Sequence, residues 1–540
     1  MKRTSFAFRT STEGFSPEEQ VLLDRKLYFS FDDGTAVASS ESPTVVENTR
    51  TVDQHVDTAL QKIHVLFQEE AAAPLSELEH GLRAWTRSHL QSVDIAQVAA
   101  LARRAREEFS VLVTIGVGGS DLSARVFHDS FNHPYHNLLS PEERGGAPEV
   151  YFTGDTFDPR KLAGLLEMLK ARGLLHKTLF NVISKSGTTM ETMTTLMVIC
   201  DALGEADWQQ QVLATTGLTP DSVLFRMHEQ SPFYGETLLP VPDGVGGRFS
   251  AFSPVGLFFL AVTAGKGETP DSRIRSAVKG VGQAHEDFNL PCGHQNNIAY
   301  QLARWIHLSE EIDETKHPSK NTIIFYNYAD NSCLGEWFVQ LYTESIQERG
   351  GGANVIPAKG PTSNHSILNG IIAGPRDKVV LFVHWKELDP GLVLPKETDV
   401  DSKLVENVEQ RQINVKQRQI LPINQRYEAR EGFPGAKFPV SAEFEGMSMT
   451  HMQTASYQGT ALDFSDKGVS HATLTLPKRD VQSVCQLMRI LMDTIAVKGR
   501  LQGLHLDNDG GEELTYLQDG VEGYKRNFRS FALASSAENE

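Results

Sequence analysis

At 540 residues the chain is too long for one ordinary domain, and two or three units are expected, each with its own core. Its 40% hydrophobic and 22% charged residues give a globular composition, and a net charge of −18 argues against broad nucleic-acid binding and against attraction to an anionic membrane surface. Any anionic ligand must then be met by a local basic island on an acidic protein.

Residues 1–95 are polar and mostly helical in pattern, with apolar residues at three- and four-residue spacing from Val56 to Phe67 and from Leu75 to Leu90. The opening MKRTSFAFRTSTEGF has no apolar h-region and reads as no secretory signal. The cysteines, Cys200, Cys292, Cys333 and Cys485, stand far apart without a CxxC pair, which fits reduced thiols in a cytoplasmic protein better than a disulfide framework or a zinc site. The longest apolar run, Val255 to Ala264, is too short to span a bilayer.

From about residue 97 the texture changes. VLVTIGVGGSD, EVYFTGD and TLFNVIS are short β-branched runs that end in small or polar turns and are separated by helical segments, the pattern of a parallel α/β sheet. NTIIFYNYAD, DKVVLFVHW and HATLTLP form a second such series. The predicted fold class is α/β, with two three-layer domains in tandem split near residues 265–290. The expected organisation is a helical segment over 1–95 packed on the larger domain, a smaller α/β domain over 96–275 and a larger one over 276–540. The larger domain carries a polar, Gln- and Glu-rich excursion near 396–446 and a C-terminal helix.

Open parallel sheets bind ligands where strands run into helices, and several segments sit at such ends. In VLVTIGVGGSDL, Gly116, Gly118, Gly119 and Ser120 follow a strand directly. They allow close approach of a ligand to the backbone, or simply make a tight turn. NVISKSGTTMET places Ser184, Lys185, Ser186, Thr188 and Thr189 around one glycine at a strand-to-helix turn. Thr188-Thr189-Met190-Glu191 fits a capping box, which accounts for one threonine and the glutamate but not for the serines and the lysine. Hydroxyls and a lysine at a helix start suit a phosphomonoester. A nucleotide triphosphate is disfavoured because Gly265-Lys266 lacks the first glycine and the following hydroxyl of a phosphate loop.

GVGGRFSAFSPVGLFFL presents Arg248 between glycines and an apolar helix, as a ligand group or as a structural ion-pair partner. In GEWFVQLYTESIQERGG, Gln340 and Glu344 share one helix face beside Trp337 and Leu341. A carboxylate so bordered is either a surface group or a partly desolvated general base. His365 lies in the turn PAKGPTSNHSILNG, and Gln518 and Lys525 lie in LQDGVEGYKRNF.

Together these segments, in order from about residue 110 to 528, resemble the glucose-6-phosphate isomerase family, built from sugar-isomerase (SIS-type) α/β domains. GVGGSDL is similar to GIGGSxLG, SKSGTTMET to SKTFTTxET, GGRFSAFSPVGL to GGRYSxxSxxGL, QLYTES to Q-x-x-x-E-S, NHS to the QHS-type turn, and the stretch Gln518 to Lys525 to Q-x-G-V-E-x-x-K. The resemblance implies substrate contacts at Gly119, Ser120, Ser184, Lys185, Ser186, Thr189, Thr192, Gln340 and Gln518, and a catalytic set of Arg248, Glu344, His365 and Lys525. It implies a cytoplasmic enzyme of glycolysis and gluconeogenesis that needs no metal or other cofactor. It also implies a homodimer with His365 near the subunit interface.

The implied chemistry interconverts glucose 6-phosphate and fructose 6-phosphate through ring opening and a cis-enediol. Glu344 moves the proton between C1 and C2 and Arg248 steadies the charge on their oxygens, while His365 and Lys525 are the candidates for ring opening. Three departures bear on strictness for glucose over mannose phosphate. Ser186-Gly187 replaces Thr-Phe and suggests a more mobile loop, Ser363-Asn364 precedes the histidine in place of Gly-Gln, and ESIQER lacks the ESNGK continuation.

The rival readings are weaker. A non-catalytic sugar-phosphate sensor has no use for Glu344, His365 and Lys525 together. A metal-dependent isomerase would draw on His128, His133 and His136, which lack a nearby carboxylate triad, and a dehydrogenase lacks the dinucleotide fingerprint.

Overall fold

The computed structural model describes residues 28–32, 43–72, 84–90, 92–204, 208–242, 244–310, 320–347, 351–389, 391–393, 446–504 and 519–537. In chain order the elements begin with β1 (Tyr28–Asp32), α1 (Pro43–Ala72) and α2 (Ser92–Glu108). The first α/β series is β2 (Val111–Ile115), α3 (Leu122–Phe131), β3 (Glu149–Thr153), α4 (Pro159–Ala171), β4 (Thr178–Ile183), α5 (Met190–Leu203), β5 (Val212–Thr216), α6 (Val223–Gln230) and β6 (Leu239–Pro240). Three helices follow, α7 (Pro254–Val262), α8 (Pro270–Phe288) and α9 (Ile298–Glu310). The second series is β7 (Thr322–Asn327), α10 (Cys333–Ile346), β8 (Asn354–Lys359), α11 (Leu368–Ile372), β9 (Lys378–Glu387), α12 (Met449–Asp466), β10 (His471–Lys478), α13 (Val481–Leu501) and α14 (Asp519–Ala537).

The first sheet is parallel throughout, in the order β3-β2-β4-β5-β6. The second has the order β1-β10-β9-β7-β8, and of these strands only β1 runs antiparallel to its neighbour. Both sheets are flanked by helices, as the β-branched runs predict. In the first sheet the chain reverses between β2 and β4, so the turns after these two strands face each other across a switch point.

β1, β5, β6 and β8 were not among the predicted strands. β5 is a five-residue run, VLATT, with no alternation to mark it. β8 carries Pro357, which an edge strand tolerates because one side of its backbone has no partner to bond. β1 lies inside the segment read as helical. The expected boundary at 275/276 falls within α8, a single capped helix packed against α13. The polar excursion lies almost wholly outside the described residues.

The largest apolar cluster joins the inner faces of both sheets. Leu112, Leu179 and Leu213 of the first sheet belong to it with Ile323, Val379 and Leu474 of the second. Between them lie two buried helices. All nine residues of α7 are buried, as expected for a helix apolar on every side. α13 is buried over nearly its whole length, and its charges are paired there: Arg489 with Asp493 at 2.9 Å and Lys498 with Glu310 at 2.7 Å. Separate clusters cover the outer faces of the two sheets. No described helix is long and apolar enough to cross a membrane. The four cysteines are unbridged, and burial raises the pKa of each thiol.

Candidate active site

The switch point brings three of the predicted segments together. Gly118, Gly119 and Ser120 form a single 3-10 turn after β2. A Cβ on Gly119 would lie 2.1 Å from the carbonyl of Gly247, so only glycine lets this turn meet the one bearing Arg248. Ser250 fastens the contact, its hydroxyl reaching the carbonyl oxygens of Gly119 at 3.2 Å and Gly247 at 2.7 Å. On the other side of the same turn, a Cβ on Gly118 would stand 2.6 Å from Nε2 of Gln340.

Arg248 and Glu344 meet there. Arg248 is 5% exposed, and its Nη1 lies 4.0 Å from Oε2 of Glu344, whose side chain is 27% exposed. Its Nε donates to the buried hydroxyl of Ser345 at 2.6 Å, and its guanidinium lies over the Phe249 ring. Gln340, one turn before Glu344, donates to the same carboxylate oxygen at 3.3 Å, while its own Oε1 is buried with no hydrogen-bond partner among the described residues. The result is a half-open carboxylate flanked by a fixed cation and an amide. Ser345 was not among the predicted residues, although it stands beside Glu344 in the motif. The signal for it was that adjacency.

The Ser184–Thr189 turn connects β4 to α5. Thr189 is the N-cap residue, but neither it nor Thr188 caps the helix. The Thr189 hydroxyl pairs with Ser184 at 3.0 Å and that of Thr188 with Ser186 at 2.7 Å. The predicted capping box is therefore not formed, because the turn consumes both threonine hydroxyls. The first N–H groups of α5 are left without a side-chain cap, and Lys185 extends along the same turn to the carbonyl of Val245 at 3.4 Å. That carbonyl lies three residues before Arg248, which links the lysine turn to the arginine turn.

Gly187 has φ +63°, and a Cβ there would press to 2.8 Å on the N–H groups of Val223 and Leu224. Its own N–H reaches the Ser184 hydroxyl at 3.1 Å, and Thr216 holds the Ser184 carbonyl at 2.7 Å. The expectation of a looser loop from Ser186-Gly187 meets a different structural fact, a turn braced from below by β5 and α6. Thr192 is wholly buried beneath the turn, its hydroxyl without a partner among the described residues.

Asp121, directly after Ser120, is bonded to Arg125, which also reaches Asp155 after β3 at 3.0 Å. Burial raises the Asp121 pKa to about 6 against the opposing pull of Arg125.

Lys525 is exposed on α14, which is fastened to the first half of the chain. Tyr524 donates to Glu191 of α5 at 2.9 Å, and Phe528 stacks on Phe157 with centroids 5.0 Å apart. Lys525 thus rides on a helix tied to the lysine turn's own helix. His365 ends a 3-10 turn after the edge strand β8, is exposed, and makes no hydrogen bond or ion pair with Arg248, Gln340 or Glu344. Gln518 lies outside the described residues. The three histidines weighed as metal ligands are engaged otherwise: His128 with Asn132 at 2.9 Å, His133 with the Tyr135 N–H at 3.1 Å, and His136 with the Pro148 carbonyl at 2.9 Å.

Two helix-flanked, mostly parallel sheets of this order have the sugar-isomerase-type (SIS) α/β fold. Residues 86–268 match the family model described as phosphoglucose isomerase. A glucose-6-phosphate isomerase from Pediococcus pentosaceus is 28% identical over 451 residues, covering 83% of this chain and 85% of the relative. One from Rubrobacter xylanophilus is 29% identical over 451 residues, covering 82% and 88%. Over these spans the chain is similar to phosphoglucose isomerases. Among solved structures, a hypothetical protein from Thermus thermophilus shares the fold with a TM-score of 0.67 at 22% identity, covering 93% of this chain and 99% of that one. A glucose-6-phosphate isomerase from Chlamydia trachomatis shares it with a TM-score of 0.60 at 16% identity, covering 89% and 86%.

Proposed function

We propose that this protein interconverts glucose 6-phosphate and fructose 6-phosphate. The observation that carries the reading is the pair Arg248–Glu344, held at 4.0 Å beside the turns of the first sheet's switch point. A sensor of sugar phosphates needs an anion cradle but has no need of a carboxylate poised next to a buried cation.

In this reading the phosphate is held by Lys185, the hydroxyls of Ser184, Ser186 and Thr189, and the uncapped start of α5, with Thr192 beneath them. Gly119 and Ser120 line the approach, and Gln340 and Gln518 contact the sugar. Glu344 removes the proton from one carbon and returns it to its neighbour. The negative charge that develops on the C1 and C2 oxygens falls next to Arg248, already desolvated and oriented by Ser345. The ring is opened beforehand by proton exchange between the ring oxygen and the C1 hydroxyl, the work of His365 and Lys525. His365, exposed on an edge, suits donation to the site of a second subunit in a homodimer, and the enzyme works in the cytoplasm.

The test is a coupled assay of purified protein with fructose 6-phosphate, with and without chelator and with mannose 6-phosphate as competitor. Turnover that persists in chelator is the expected result. Binding of the sugar phosphate without isomerisation would make the protein a sensor instead.

A further inference from the structure

Among the described residues His365 has no side-chain partner, so its placement depends on the backbone of its turn. That turn is anchored through the residue before it. The side-chain oxygen of Asn364 accepts from the hydroxyls of both Tyr326 and Tyr328, the latter at 3.1 Å. Its amide nitrogen donates to Thr460 of α12 at 3.0 Å, and the Tyr328 and Thr460 hydroxyl oxygens lie 2.8 Å apart. Thr460 is itself tied to the Ser456 carbonyl at 2.9 Å.

Both tyrosines are fully buried, and burial raises the pKa of each phenol, so each keeps its proton to donate. The start of the turn is fixed as well. The Lys359 N–H reaches the Ser363 hydroxyl at 3.0 Å, and Gln453 holds the Gly360 carbonyl at 2.8 Å. A Cβ on Gly360 would stand 2.6 Å from the Tyr328 ring. Strands, α12 and the turn thus converge on one amide, and the next residue projects into solvent.

We infer that Asn364 is a positioning residue for His365: its clamped amide sets the turn so that the imidazole is presented in one orientation. A plain packing role would need only an apolar group under the turn, whereas here three polar groups are directed at a single side chain, at some desolvation cost. The inference rests on the isomerase reading, in which His365 takes part in ring opening. Where the resembling family carries glutamine, the amide of Asn364 here reaches both phenols.

The experiment compares Asn364→Leu, Tyr326→Phe and His365→Ala with the wild type, alone and in combination. Two activities of glucose 6-phosphate are followed: isomerisation, and interconversion of the α and β anomers, which needs only ring opening and closing. Asn364→Leu is expected to lower both by about tenfold to a hundredfold with KM little changed, the size of effect that slight misplacement of a reacting group produces. Tyr326→Phe, which keeps the packing and removes one donor, follows in the same direction. In a His365→Ala protein, adding Asn364→Leu should change neither rate by more than about twofold, because the effect passes through the histidine.

A second readout does not depend on activity. The histidine ring resonance of His365, assigned by its loss in His365→Ala, should shift or broaden in Asn364→Leu. Equal losses in the wild-type and His365→Ala backgrounds, or an unchanged His365 resonance, would overturn the inference. A wild-type protein that shows neither activity, but whose His365 signal moves with Asn364→Leu, would refute the isomerase reading and leave the positioning role standing.

Discussion

The Tyr524 hydroxyl donates to the Glu191 carboxylate at 2.9 Å, joining residues 333 positions apart in the chain. Glu191 lies in the first turn of α5, and Tyr524 immediately precedes Lys525. The helix proposed to bind phosphate and the helix that carries Lys525 are therefore linked by this hydrogen bond, with the Phe157–Phe528 stack one turn further along. Tyr524→Phe removes the bond and keeps the ring. It is expected to lower kcat for fructose 6-phosphate several-fold while shifting the melting temperature little, since exposed contacts stabilise weakly. Steady-state kinetics beside a thermal melt checks this.

Glu344→Gln keeps the size of the side chain and its bond from Gln340 but removes the proposed base. Turnover should fall by about a hundredfold to ten-thousandfold, the usual contribution of a positioned general base. Binding of fructose 6-phosphate, followed by calorimetry, should stay close to that of the wild type. A variant with near-normal turnover would move the proton transfer to another residue.

Ser345→Ala takes from Arg248 its 2.6 Å hydrogen bond inside the protein. A bond to a charged group contributes about 1.5–3 kcal/mol, so both stability and kcat should fall, with little effect on KM. Denaturant unfolding and initial-rate kinetics measure the two losses separately.

Gly187→Ala places a methyl group in a left-handed conformation and against the Val223 and Leu224 backbone. A loss of at least about 1 kcal/mol is expected from the backbone conformation alone. The disturbed turn should also raise KM for the sugar phosphate and weaken competition by inorganic phosphate.

Stability should fall as the solution is acidified from neutral. His136 and His384 are buried, and burial lowers the pKa of each to about 4. A histidine whose folded pKa lies below its unfolded value stabilises the fold above the unfolded pKa of about 6.5 and loses that contribution as pH drops towards 4. Asp121 opposes this trend over much of the same range. Its folded pKa of about 6 lies above the ordinary carboxylate value, so its contribution is present at low pH and lost as pH rises through 6. Urea unfolding from pH 4 to 7 should therefore show a shallower acid loss for His384→Gln and a steeper one for Asp121→Asn.

The sequence carried the parts of this site that are written locally. Strand ends followed by Gly119 or Lys185 are legible because buried β-branched runs and glycine turns leave their mark within a few residues, and Arg248 is legible from its glycines and the apolar helix behind it. Gln340 and Glu344 are legible because helical spacing puts them on one face. What could not be read is where tertiary structure reassigns a local signal. Thr188, Thr189 and Glu191 have the spacing of a capping box, yet the hydroxyls pair with Ser186 and Ser184, and the carboxylate serves Tyr524. The role of Asn364 depends on Tyr326, Tyr328 and Thr460, which come from other elements and have no periodic relation to it. β8 went unrecognised because its proline is acceptable only at a sheet edge, and edge position is a property of the assembled sheet.

The apolar cluster that runs without a break from Leu112 to Leu474 bears on how this chain can be divided or recombined. Each sheet supplies one wall of the same interior, and α7 and α13 fill the space between. A fragment bearing either sheet alone would expose a broad oily face and would be expected to aggregate on its own. Exchange of one half for that of a distant relative should fail even where every reacting residue is kept, because the two walls must fit each other. The unit that can be expressed, swapped or inherited is the pair of sheets.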